Sequence, residues 1–135
     1  MLMWLLSWAL PAYAFAFPLQ QGVAVAFWLA GVVITGLAVM SFGRAKTTVN
    51  PMKPESTAAL VQSSLYRFTR NPMYLGFFFV LVGLAVFLGN ALAVLLLPIF
   101  IFYMNRFQIE PEERTLTALF GREYVAYSSR VRRWL

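Results

Sequence analysis

The sequence contains no cysteine, no histidine and no aspartate in 135 residues. Each absence removes a class of chemistry. Without cysteine there is no disulfide, and the chain carries no mark of its redox compartment. Without cysteine or histidine the usual ligand sets for zinc, haem and iron–sulfur clusters are missing, so no metal site is expected. Nucleophilic serine or cysteine systems that need a histidine base are excluded as well. An enzyme built on this chain must work with glutamate, arginine, tyrosine, asparagine and backbone groups. That inventory favours reactions in which a cofactor carries the chemical difficulty and the protein supplies orientation and charge.

Charge is also scarce, and it is segregated. The 11 basic and 5 acidic residues all fall in two stretches, Arg44–Arg70 and Arg106–Arg133. Residues 1–43 and 71–105 are uncharged apolar blocks. A bilayer core takes about 20 apolar residues as a helix, so each block is too long for one crossing and suited to two. The expected fold is therefore an all-α integral membrane protein of about four transmembrane helices. One membrane domain covers 1–135, with spans at about 2–17, 23–42, 72–88 and 91–107. Residues 44–70 and 108–135 are the polar, cytosolic segments. The basic excess of the chain, +6 overall, reports topology and anionic headgroups here and gives no reason to expect nucleic acid.

The first block divides near Pro18-Leu19-Gln20-Gln21-Gly22, and the second at the turn-forming pair Gly89-Asn90. Pro11 interrupts the first segment, which is expected to tilt, kink or lie partly in the interface. Ala12-Tyr13-Ala14 resembles a small-residue cleavage site, but the basic n-region of a signal peptide is absent. Four spans place both charged stretches and both termini on one side, which the positive-inside rule makes cytoplasmic. A bacterial inner membrane is the expected location. Gly76, Gly83 and the Gly22, Ala26, Ala30 set suit close helix packing.

Within the polar segments, Pro51 and Pro54 argue for an extended entry. Ser56–Phe68 reads as a short amphipathic helix with Leu60, Val61, Leu65 and Phe68 on one side. Glu112–Arg133 reads as a cytosolic or interfacial helix interrupted near Gly121. The ending Arg130–Leu135 joins cations to Trp134 and is expected to pin the tail to headgroups. The turn at 89–90 makes an antiparallel hairpin, so Arg70-Asn71 at its entry and Glu112-Glu113 at its exit should be neighbours at one membrane face. Read from charge alone, this is as consistent with a structural ion pair as with a site.

The run Leu65-Tyr66-Arg67-Phe68-Thr69-Arg70-Asn71-Pro72-Met73-Tyr74-Leu75-Gly76 resembles the signature of the isoprenylcysteine carboxyl methyltransferase and phospholipid methyltransferase superfamily. The tail Glu112-Glu113-Arg114-Thr115-Leu116, with Phe120-Gly121-Arg122-Glu123-Tyr124, Tyr127 and Val131-Arg132-Arg133-Trp134, is similar to the same superfamily's C-terminal block. So is Thr47-Thr48-Val49-Asn50-Pro51. The resemblance covers about two thirds of the chain. It implies an enzyme using S-adenosylmethionine, held between the C-terminal helices and the polar segments. It further implies that Glu112 and Glu113 take the cofactor's α-ammonium. Tyr66, Arg70, Asn71 and Tyr74 would line the pocket, with Arg70 partnering a carboxylate. Tyr124 and Tyr127 match pocket-closing positions, for which core packing is an equal reading. Arg70 and Glu113 are the expected catalytic pair.

Two positions depart from that pattern. Ser63-Ser64-Leu65 stands where the superfamily often has a glycine, and Asn71 stands where eukaryotic carboxyl methyltransferases usually carry histidine. The expected acceptor is lipophilic, a carboxylate or a lipid headgroup, reached from within the membrane. A carboxylate needs no general base, which suits a chain without histidine. Two alternatives remain open at this point: a membrane reductase of the sterol type using a nicotinamide cofactor, and a small membrane protein with no enzymatic activity. A transporter is disfavoured, because the interior of every span lacks an ionisable residue, Arg106 lying at the end of the last. Nothing in the sequence specifies the oligomeric state.

Overall fold

The structure, a computed structural model, describes residues 1–44 and 60–135. The Thr47–Pro51 motif, Pro54 and the first part of the helix expected over 56–68 lie outside the described residues. Among the described residues every regular element is helical. In order these are α1 (Leu2–Ala9), a 3-10 turn (Pro11–Tyr13), α2 (Gln20–Arg44), a 3-10 turn (Ser64–Arg67) and α3 (Pro72–Leu88). There follow α4 (Ala91–Tyr103), a π-helical segment (Met104–Ile109), α5 (Glu110–Phe120) and α6 (Arg122–Arg130).

Helices α4, the π segment and α5 join into one rod over Ala91–Phe120. That rod and Gln20–Ser41 are the two helices long and apolar enough to cross a membrane, and Pro72–Leu88 is a shorter apolar helix of 17 residues. Their outer faces carry large apolar side chains such as Trp28, Val33, Ile99 and Phe102, each more than half exposed. In water such a surface would be costly. Facing lipid, it is what a membrane protein needs.

Helices α2 and α3 pack antiparallel and unusually close. A Cβ on Gly76 would strike Thr35 Oγ1 and approach the Gly31 carbonyl to 2.8 Å, and one on Gly83 would lie 2.8 Å from the Ala24 carbonyl. Of the glycines expected to allow tight packing, Gly76 and Gly83 do so, Gly31 joins them from the facing helix, and Gly22 meets nothing within 4 Å. Where no water drives apolar surfaces together, such close approach and the dispersion contacts it brings hold helices in register.

At Gly89-Asn90 the chain reverses as expected. Gly89 closes α3 with φ 55, and Asn90 Oδ1 accepts from Leu92 N at 2.9 Å to start α4. This turn is also fastened to the N-terminal segment. Phe15 N donates to Gly89 O at 2.6 Å, Asn90 Nδ2 to Leu10 O at 3.0 Å, and Gln20 Nε2 to Val86 O at 2.7 Å. Met3 packs beside Ala85 and Ala93.

Two expectations are corrected here. Residues 2–17 do not form one helical segment. Helix α1 stops at Ala9 because Pro11 lacks an amide donor and disfavours helical geometry in Leu10, which sits at φ −129, ψ 66. Eight residues rise about 12 Å, well short of a bilayer core. The described part of 56–68 is not an amphipathic helix either. Residues 60–63 have no helical geometry and only Ser64–Arg67 forms a 3-10 turn, opened by Ser64 at φ 56, which does not continue a right-handed α-helix.

Candidate functional site

The antiparallel arrangement of α2 and α3 leaves the Arg70 end of α3 opposite the Gly89 turn. Helix α4 runs back from that turn, so α5 emerges beside Arg70. Pro72 opens α3 at the position where a missing amide costs least, directly after Asn71. The loop that precedes it thus ends against the first turn of α5.

Arg70 Nη1 lies 3.0 Å from Glu113 Oε1, and both side chains are largely buried. Arg133 reaches the same carboxylate from the tail. Its Nε donates to Oε1 at 3.0 Å and its Nη2 to Oε2 at 2.7 Å, a two-pronged pair that fixes the carboxylate plane. Glu113 is therefore held by two guanidinium groups. Its neighbour Glu112 is held differently: Tyr74 OH donates to Glu112 Oε2 at 2.9 Å. Arg70 Nη1 also approaches Tyr124 OH at 3.4 Å. Arg70 Nε is buried without a hydrogen-bond partner among the described residues.

Three further tyrosine positions enclose this cluster. Tyr127 OH donates to Tyr66 O at 2.7 Å, tying α6 to the loop before α3. Burial pushes the hydroxyls of Tyr66, Tyr124 and Tyr127 above their ordinary pKa, with the Glu112 charge adding at Tyr66 and the Glu113 charge at Tyr124. All three stay protonated at neutral pH and can only donate or accept as neutral groups. Burial of Tyr66 against Val61 and Ala38 also seats the loop on α2.

Of the sequence-identified residues, Arg70, Tyr74, Glu112, Glu113 and Tyr124 meet in one cluster, with Tyr66 packed beside it. Asn71 turns elsewhere: its Nδ2 donates to Arg133 O at 2.9 Å. Tyr127 closes the back of the cluster rather than reaching its centre. Arg133 was missed as a site residue. Among Arg130, Arg132 and Arg133 beside a tryptophan, it looks like one more headgroup anchor, and only the fold separates it from the others. Trp134 is likewise fixed by protein, donating through Nε1 to Asn105 Oδ1 at 2.9 Å and meeting the Phe78 ring at 6.4 Å. The Ser64 backbone, at φ 56, takes the left-handed form that glycine adopts freely, so the local shape survives the loss of that residue. Among the described residues no acidic or other cluster could hold a metal ion.

This arrangement has counterparts in known proteins. The family model described as phospholipid methyltransferase matches residues 19–123. A protein-S-isoprenylcysteine O-methyltransferase of Saccharomyces cerevisiae is 35% identical over 98 residues, covering 70% of this chain and 40% of its own. Protein-S-isoprenylcysteine O-methyltransferase B of Arabidopsis thaliana is 31% identical over 101 residues, covering 75% of this chain and 51% of its own. A Haemophilus influenzae protein bearing only the description uncharacterized is 48% identical over 63 residues, all of its length and 47% of this chain. The chain thus spans about half, or less, of the two named methyltransferases. The match from α2 through the start of α6 takes in Arg70, Tyr74, Glu112 and Glu113, and this chain belongs to the phospholipid methyltransferase family.

Proposed function

We propose that the protein is an S-adenosylmethionine-dependent methyltransferase acting on a lipophilic acceptor at the cytoplasmic face of the membrane. The observation that carries this reading is the buried Arg70 Nε, a charged donor without a partner among the described residues, on a guanidinium paired with Glu113, the neighbour of Glu112. A buried donor left unmatched is costly, and a ligand carboxylate is the natural acceptor for a guanidinium. Glu112 supplies the complementary anion for an ammonium. The pair fits the amino-acid end of the cofactor, and the names of the relatives support methyl transfer. When bound, the cofactor supplies an electrophilic methyl group on a sulfonium.

Of the two residues expected to be catalytic, Arg70 engages the ligand and Glu113 acts by holding Arg70. Tyr74 orients Glu112. Tyr66 and Tyr124 wall the pocket and keep water out, which strengthens every charge interaction inside it. Asn71 contributes by tying the loop to the tail. The apolar flank of α3 begins within a turn of Arg70, and exposed Phe107 lies five residues before Glu112 on the rod, so an acceptor with a long apolar portion can approach from the bilayer. Because the tyrosines are held protonated, they are poor proton acceptors, and the chain has no histidine. The reading therefore favours an acceptor that is already ionised, such as a carboxylate, over an amine that must first lose a proton.

Calorimetric binding of S-adenosylhomocysteine to the detergent-solubilised protein tests this. The wild type should bind, and Glu112→Gln with Glu113→Gln should abolish binding. A wild type that ignores this ligand and binds a nicotinamide dinucleotide instead would identify a reductase.

A further inference from the structure

Beyond α6 the chain extends, with Val131 at φ −119, ψ 131, and runs alongside the loop before α3. The tail is sewn to that loop. Arg70 N donates to Arg132 O at 2.8 Å, Thr69 Oγ1 to Arg133 O at 3.0 Å, and Asn71 Nδ2 to the same oxygen at 2.9 Å. Trp134 then anchors to Asn105 in the π segment. These contacts fix the Arg133 backbone on both sides, and its side chain delivers both nitrogens to Glu113.

Resting on the function proposed above, we propose that Arg133 is a positioning residue. By occupying both oxygens of Glu113 it keeps that carboxylate from closing on Arg70, and so preserves Arg70 Nε for a ligand carboxylate. The charges make the case. Glu112, Glu113, Arg70 and Arg133 balance to zero, which suits a zwitterionic amino-acid group entering between Arg70 and Glu112. Remove Arg133, and two adjacent carboxylates share one cation. Glu113 would then gain most by taking two nitrogens of Arg70, the fork geometry that arginine and carboxylate prefer. That pairing consumes the donor the ligand needs. Glu113, in turn, stops Arg70 from reaching Glu112, the ammonium site.

The test compares S-adenosylhomocysteine binding by calorimetry across purified variants of the full chain. Arg133→Gln should weaken binding about tenfold or more, equal to about 1.4 kcal/mol. Arg133→Lys, which keeps the charge and loses the fork, should fall between it and the wild type. Trp134→Ala loosens the same tail without touching Glu113 and should stay within about threefold of wild type. On a Glu113→Gln background, Arg133→Gln should add little, because its partner is already gone. The inference is overturned if the wild type binds and Arg133→Gln binds equally well. It is also overturned if Trp134→Ala is as harmful, or if the effect persists undiminished without Glu113. Should Arg133→Gln not fold, Arg133→Lys decides, and wild-type affinity in that variant overturns the inference. A wild type that does not bind at all removes the methyltransferase reading itself.

Discussion

Tyr74 and Tyr127 both spend a hydroxyl on a fixed partner, but on different tasks. Tyr74 orients Glu112, and Tyr127 satisfies the Tyr66 carbonyl in a buried place. Tyr74→Phe should lower affinity for S-adenosylhomocysteine by about tenfold or more, in line with ~1.5 kcal/mol, the lower end for a hydrogen bond to a charged group, and should move the thermal midpoint little. Tyr127→Phe should do the reverse. It removes a buried hydrogen bond between α6 and the loop before α3, costing roughly 0.5–1.5 kcal/mol of stability, with a smaller change in affinity. Thermal unfolding and calorimetry on the two variants separate these outcomes. Ser64 offers a third test. Its left-handed backbone should tolerate Ser64→Gly, while Ser64→Val should cost about 1 kcal/mol or more, because a branched Cβ resists positive φ. The acidic pair and Arg70 were legible in the sequence as charges brought to one membrane face, and the tyrosines through the resemblance that their motifs carry. Arg133 was not. Its role depends on a backbone path that places one of three tail arginines inward, and neither spacing nor composition records that path.

Helix α2 and helix α3 meet through glycines, and the environment of each glycine gives a graded prediction. A Cβ on Gly31 would come within 2.8 Å of Val80 N, whereas one on Gly36 meets nothing within 4 Å. Gly31→Ala and Gly76→Ala should push the helices apart and lower the yield of folded, monodisperse protein. Gly36→Ala should be neutral or slightly stabilising, since alanine is the better helix former. Size-exclusion profiles and melting curves in one detergent compare them directly. If Gly31→Ala is as well behaved as Gly36→Ala, the close contact is not what holds the pair. The rod from Ala91 to Phe120 adds a second packing device. Pro111 has no amide donor, and its ring crowds the carbonyl one turn back, at Phe107. The wider π turn over Met104–Ile109 lies directly before α5 and gives that carbonyl room. The hairpin turn and the break at Gly121 were legible because Gly and Asn punctuate the chain there. The π turn was not, since apolar residues continue across it without a change of pattern. Nor was the early end of α1. Pro11 marked an interruption in the sequence, but it ends the helix at Ala9 outright, more sharply than a kink.

Topology depends on how the ends are distributed. Arg67 and Arg70 sit at one end of the α2–α3 pair, and Gln21 and the Gly89 turn sit at the other. Helix α2, at 25 residues and about 37 Å, is long enough to separate those ends by a bilayer. The short α1 and the segment after it are fastened to the Gly89 turn rather than forming a second full crossing beside it. Basic residues gather at the opposite end, the charge bias on which the proposal of a cytoplasmic cluster rests. The sequence has no cysteine, so single cysteines can be introduced without first removing any. Gln21→Cys and Arg67→Cys both replace exposed side chains at opposite ends. In intact bacteria a membrane-impermeant maleimide should label Gln21→Cys and spare Arg67→Cys, which should react only after the membrane is opened. Labelling of both in intact cells would mean that α2 does not cross. Labelling of Arg67→Cys alone would turn the protein over and put the cluster outside, where cytoplasmic S-adenosylmethionine is absent. The orientation of one helix therefore decides whether the proposed cofactor can reach the residues arranged to hold it.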